Sequence, residues 1–116
     1  MKYTINLQYP PSANRYWRNW QGRMVKSDEA RKYQVNAGWC AKAAGAELID
    51  GDVAIELRLF RPQRRGDLDN RIKVLIDALQ GHCYDDDSQV VELHAFLNDD
   101  KHNPRVEVTV WERCQS

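Results

Sequence analysis

Three stretches of the chain place apolar residues at every second position: Tyr3, Ile5 and Leu7; Val53, Ile55, Leu57 and Leu59; Val106, Val108 and Val110. A period of two sends alternate side chains to opposite faces of an extended strand, so each stretch predicts a strand with one face toward a core. A sheet with one apolar face needs a cover. Ile72, Leu75, Ile76 and Leu79 provide one, because they fall at i, i+3, i+4 and i+7, the spacing of a single helix face. A second helix is expected after Ser27, an N-cap residue followed by Asp28 and Glu29 in the first turn, with Ala30, Tyr33, Ala37, Cys40 or Ala41, and Ala44 recurring at helical spacing and Gly45 as its stop.

Punctuation completes the outline. Pro10-Pro11-Ser12 ends the first strand, Pro62 closes the one that begins at Val53, Asp69 or Asn70 is placed to cap the later helix, and Gly81 ends it. Residues Ala13 to Lys26 are expected to form a loop or short irregular hairpin turning at Gln21-Gly22. Val90 to Leu97 predicts a further strand, joined by the polar turn Asn98 to Pro104 to the final strand as a hairpin. The expected fold is a single α+β domain over residues 1–116, a mixed sheet with two helices packed on it in the order β-α-β-α-β-β. The chain length of 116 residues suits one modest core.

Composition excludes several classes. Hydrophobic residues at 42% and charged residues at 29% describe a globular chain, no apolar run approaches the ~20 residues of a membrane span, and Met1 to Tyr9 lacks an apolar signal core. No membrane association is expected, and a cytoplasmic location is. Cys40, Cys83 and Cys114 are too widely spaced for a disulfide framework or a paired-cysteine zinc site and are expected to be reduced. Net charge is zero, yet residues 1–66 hold 12 Lys or Arg against 6 Asp or Glu, whereas residues 67–116 hold 5 against 11. A phosphate-binding surface and an acidic pocket can therefore coexist.

The acids gather near predicted element ends: Asp67 and Asp69 before the second long helix, Asp85 to Asp87 before the third strand. Hard cations such as Mg²⁺ take oxygen ligands and few protein carboxylates, leaving positions for water and substrate phosphate. Lys73, four residues after Asp69, lies on the same helix face, where an ammonium can stabilise a phosphate transition state or the departing oxygen. Spacing alone leaves plainer readings open: Asp69 as a helix cap, Asp85 to Asp87 as a solvated turn, Asp69 with Lys73 as an exposed ion pair. Upstream, Arg15, Arg18, Arg23 and Lys26 are interleaved with Tyr16, Trp17 and Trp20, a pattern that offers phosphate neutralisation together with rings for stacking on bases. A solvated cationic loop whose rings pack on the core has the same composition. Arg64 and Arg65 bring further positive charge beside the acids. His82, His94 and His102 fall at no metal-ligand spacing. Asp77 shares the helix face of Asp69 and Lys73 and is a candidate for holding Lys73 in place.

Taken in order, Pro10-Pro11-Ser12-Ala13-Asn14-Arg15-Tyr16, then Arg64-Arg65-Gly66-Asp67-Leu68-Asp69-Asn70 with Lys73, then Asp86-Asp87-Ser88-Gln89-Val90-Val91, resemble the RusA family of Holliday junction resolvases over nearly the whole chain. The resemblance implies a homodimeric, Mg²⁺-dependent endonuclease of bacterial or phage origin, with Mn²⁺ able to substitute, that binds four-way DNA junctions and nicks opposing strands symmetrically in recombination and repair. It implies that Asp67, Asp69 and Asp87 are the catalytic, metal-holding aspartates and Lys73 the catalytic lysine, with Asp86 and Asp77 as supporting candidates. Asn14, Arg15, Tyr16, Arg18, Arg64 and Arg65 are the implied DNA contacts. Some members have a basic residue directly before the first aspartate, where this chain has Gly66. Two other classes stand beside this expectation: a branched-DNA-binding protein that does not cleave, and a metal-dependent hydrolase of small phosphate compounds. Val106, Val108 and Val110 are candidates for a dimer interface.

Overall fold

The computed structural model describes residues 2–64 and 68–113. Its elements are β1 (Lys2–Leu7), α1 (Ala13–Tyr16), β2 (Trp17–Trp20), β3 (Arg23–Lys26), α2 (Asp28–Ala43), β4 (Val53–Arg61), α3 (Leu68–Leu79), a single 3₁₀ turn (Asp87–Gln89), β5 (Val90–Asp99) and β6 (Arg105–Glu112). The expected α+β class and order hold, with the Ala13 to Lys26 segment resolved into one helical turn and a hairpin. Gln21 and Gly22 at the tip both have positive φ, 50° and 78°, the backbone that a tight two-residue hairpin needs.

The main sheet has the order β1-β6-β4-β5. Strand β6 runs antiparallel to β1 on one side and to β4 on the other, and β5 runs parallel to β4, with Ile55 opposite Leu93 and Leu59 opposite Leu97. The expected hairpin between the last two strands is therefore absent: β5 and β6 flank β4 from opposite sides. The reason lies in β4, whose Val53, Ala54 and Ile55 are buried on both faces, so the strand gains most from neighbours along both edges. A parallel β4 and β5 need a crossover, and α3 supplies it.

Helices α2 and α3 cover one face of this sheet, burying Ile5, Leu57, Leu59, Val74, Leu75, Leu79, Val106 and Val108 completely. Each such side chain contributes about 1.5–3 kcal/mol relative to exposure. Val106, Val108 and Val110 are spent on this core and are not available to a dimer interface. In α2, Ser27 caps as expected, its hydroxyl accepting from Ala30 N at 3.1 Å, and Gly45 follows the helix end at φ 76°. In α3 the buried set is Val74, Leu75, Ala78 and Leu79. That face is rotated from the predicted one, so Ile72 and Ile76 are only half-buried. Asp69 and Asn70 do not cap α3, which begins at Leu68; Asn70 Oδ1 instead accepts from Ala13 N at 2.7 Å, tying α1 to α3. Cys83 is buried and Cys40 half-buried, both as free thiols, and Cys114 lies outside the described residues. Among the described residues no helix is long and apolar enough to cross a membrane.

Candidate active site

Rotation of α3 turns one row of its residues away from the sheet. Asp69, Ile72, Lys73, Ile76 and Asp77 line a cavity of about 510 Å³, closed by Trp17 from the hairpin, Asp87 from the 3₁₀ turn and Leu93 from β5. The spacing of Asp69, Lys73 and Asp77 is one helical turn each, which is why a single helix presents all three to one space. Asp87 arrives from a different element, through the parallel crossover that puts the start of β5 beside α3.

Three side chains set the acidic turn. Asp86 caps it, its carboxylate accepting from Ser88 N at 2.9 Å, and these hydrogen bonds hold its carboxyl below the usual carboxylate range. Gln89 does more. Its Oε1 accepts from Asp85 N and Asp86 N at 2.9 and 3.0 Å while its amide nitrogen donates to the carbonyls of Ile49 and Gly51 at 2.7 and 2.9 Å. Gln80 Oε1 accepts from Asp87 N at 3.2 Å. Asp86 is thus occupied in the cap and does not line the cavity.

On the opposite wall Asp77 Oδ2 is a common acceptor, receiving Tyr16 Oη at 2.6 Å, Lys26 Nζ at 3.0 Å and Gln34 Nε2 at 3.3 Å. Among the described residues its partners are these three and not Lys73, for which it was a candidate. Lys73 Nζ lies over the Trp17 ring, 5.6 Å from its centroid. Among the described residues no ion pair joins Asp69 to Lys73, so the exposed-pair reading of these two is not realised.

The predicted DNA-contact residues divide. Asn14, Arg15, Arg18 and Arg64 are exposed, and Arg15 pairs with Glu29 at 2.8 Å. Tyr16 is not: it is fully buried, its hydroxyl committed to Asp77 and its ring packed edge-on against Trp17 at 4.6 Å. Its ring is therefore no platform for a base. Arg65, Gly66 and Asp67 lie outside the described residues. His94 stacks on Trp111 and bonds Glu92, and His82 and His102 are not among the residues that line the cavity.

Chemically, Asp69 and Asp87 give the cavity two acceptor-only oxygen donors, and the hard-cation preference for one or two carboxylates with open positions fits that donor set. Among the described residues no three candidate ligands converge closely enough to form a complete metal cage. Sequence reasoning missed Trp17, Gln34 and Gln89 in these positions; each acts through long-range packing that no local spacing reports.

Comparison with known proteins gives this geometry a context. Residues 8–111 match the family model described as endodeoxyribonuclease RusA. The chain is 35% identical over 113 residues, 95% of its length and 94% of the relative's, to the crossover junction endodeoxyribonuclease RusA of Escherichia coli strain K12. It is 35% identical to the protein of the same name from Shigella sonnei strain Ss046, and 34% identical to that of Enterobacteria phage 82, over the same shares. A match this long, running from the end of the first strand into the last and including every element that lines the cavity, places the chain in the RusA endodeoxyribonuclease family.

Proposed function

We propose that this chain is a Mg²⁺-dependent crossover junction endodeoxyribonuclease, acting as a homodimer that resolves four-way DNA by paired nicks in opposing strands. The observation that carries the reading is the meeting of Asp69, Lys73 and Asp87 from two separate elements in one cavity beneath the hairpin. The relatives' shared name as crossover junction endodeoxyribonucleases supports the substrate.

Asp69 and Asp87, with Asp67, are the residues that would hold Mg²⁺, or Mn²⁺ in its place. Such an ion supplies Lewis-acid polarisation of the phosphate and a water of lowered pKa. In hydrolysis the water oxygen forms a bond to phosphorus as the bond to the 3′ oxygen breaks, leaving a 5′-phosphate and a 3′-hydroxyl that takes up a proton. Lys73 offsets charge growing on the phosphate oxygens, and the Trp17 ring above it orients its ammonium without neutralising it. Ile72, Ile76 and Leu93 give the cavity an apolar stretch of wall beside these polar groups. Two active sites in a dimer account for two nicks.

Asp67→Asn, Asp69→Asn and Asp87→Asn are each expected to abolish nicking of a synthetic four-way junction by 10²-fold or more, on the order of the loss when one catalytic electrostatic group is removed. Binding should survive and can tighten, since each carboxylate repels phosphate when no metal is bound. Cutting at the wild-type rate by all three variants would overturn the assignment. A Mg²⁺ titration separates the enzyme from a branched-DNA binder, which shifts the junction in a gel but yields no nicked duplex at any concentration.

A further inference from the structure

A second recess opens on the other side of the start of α3. It is lined by Tyr9, Pro10, Pro11, Ser12, Arg15, Pro62, Gln63 and Arg71, with a volume of about 360 Å³. Its polar groups have one character. Two guanidinium groups, the hydroxyls of Ser12 and Tyr9 and the Gln63 amide belong to its lining, and among the described residues no carboxylate does. Three prolines in its wall contribute no N–H, so donors there come almost entirely from side chains.

Arg71 is the unexplained member. Its Nη1 donates to the neighbouring Asn70 Oδ1 at 3.1 Å, and its guanidinium carbon lies 5.5 Å from the Tyr9 ring centroid. Its Nε, shielded from solvent, has no hydrogen-bond partner among the described residues, and it is the one buried side-chain polar atom among them of which this is true. A buried donor on a charged group is costly to leave unmade, and one that persists in a folded protein calls for an explanation, a bound ion or ligand among them. The Ser12 hydroxyl, although it stands at the N-cap of α1, makes no capping bond there. The recess thus offers a guanidinium fork and a hydroxyl to an acceptor with several oxygens and negative charge.

We infer that this recess is a phosphate subsite, in which Arg71 and Arg15 bind a backbone phosphate of the DNA other than the one that is cut. The inference rests on the resolvase reading for its ligand but not for its chemistry, because any DNA carries the phosphate. Asp69 and Arg71 stand two residues apart on α3 and face different recesses, so the start of the helix separates a cleaved phosphate from a gripped one. Arg15 is held by Glu29 at 2.8 Å in the free protein and would exchange that exposed partner for the phosphate.

The experiment is junction binding by the full chain across a salt series without divalent cation, for wild type, Arg71→Met and Arg71→Lys, with thermal melts of each. Loss of one phosphate contact should weaken Arg71→Met several-fold at low salt and lower the slope of log affinity against log salt by about 1. Arg71→Lys should keep the slope, since the charge remains, while losing part of the affinity with the fork. The melting temperature of Arg71→Met should be unchanged or raised, because the unpartnered Nε is removed. Unchanged affinity and slope in Arg71→Met would sink the subsite, as would a lowered melting temperature with unchanged binding, which marks Arg71 as a structural partner of Tyr9. Failure of the wider reading looks different: wild type that binds DNA but does not nick it in a parallel assay with Mg²⁺, with the slope still lowered in Arg71→Met, removes the nuclease and keeps the subsite. Wild type that binds no DNA overturns both.

Discussion

Asp77 carries more of this site than its position on a helix surface suggests. Three donors from three elements, Tyr16, Lys26 and Gln34, share one carboxylate oxygen. Replacing it by alanine leaves the buried Tyr16 hydroxyl without its acceptor, a loss of about 1–3 kcal/mol, whereas asparagine keeps an oxygen for that bond and loses only the charge opposite Lys26. Urea denaturation should therefore rank Asp77→Ala well below Asp77→Asn, and an equal loss in the two would mean that the charge, not the hydroxyl, is what the site needs. The tyrosines extend the point to pH. Burial raises the pKa of Tyr3, Tyr16, Tyr33 and Tyr84 above the ordinary 10.0, with Asp77 adding to the shift at Tyr16. Groups whose folded pKa is raised contribute stability that is complete below the unfolded value and lost as pH climbs past it. Thermal stability should hold to about pH 10 and then fall steadily, with Tyr16→Phe falling less steeply, as melts between pH 8 and 12 would record.

At the level of elements, what the sequence made legible was local and what it hid was pairing. Alternation marked β1, β4 and β6, and Ser27 and Gly45 marked the ends of α2, because these signals lie within a few residues of one another. The β5 partnership was expected with β6 and is with β4: whether β5 joins β6 or β4 depends on how much apolar surface β4 exposes at each edge, which spacing along one strand does not record. The site was legible to the same extent. Asp69 and Lys73 were visible as helix neighbours, whereas Trp17 over Lys73 and Gln89 beneath the acidic turn depend on folds of the chain that bring distant segments together. Tyr16 shows the converse, since a ring amid arginines suggested a surface platform and is a buried anchor. Gln89→Leu tests the hidden part. Four hydrogen bonds to the turn and its neighbour disappear, so Asp87 loses its fixed approach to the cavity. Junction cleavage should drop 10-fold or more with affinity little changed, in line with the sensitivity of catalysis to small misplacements. An unchanged rate would show that the turn holds itself.

Considered as a whole, the molecule sets its two charge territories against each other across the cavity. The basic first half supplies the hairpin, where Arg18 and Arg23 are exposed and Trp20 is 45% exposed, while the acidic second half supplies Asp69 and Asp87. On the proposed reading a DNA strand is held by the hairpin while the carboxylates lie across the cavity, which separates binding from chemistry in space. A hydrolase of small phosphate compounds needs only the acidic side. Arg18→Glu with Arg23→Glu reverses charge at two exposed hairpin positions that touch neither the core nor the cavity, so the fold should be retained. If each arginine meets one phosphate, the slope of log affinity against log salt should fall by about 2, with junction affinity down at least 10-fold at low salt. Any hydrolysis of a small phosphodiester such as bis(4-nitrophenyl) phosphate should be unaffected, because the charge change lies outside the cavity. Junction cleavage that survives the reversal at low protein concentration would place the DNA on some other surface.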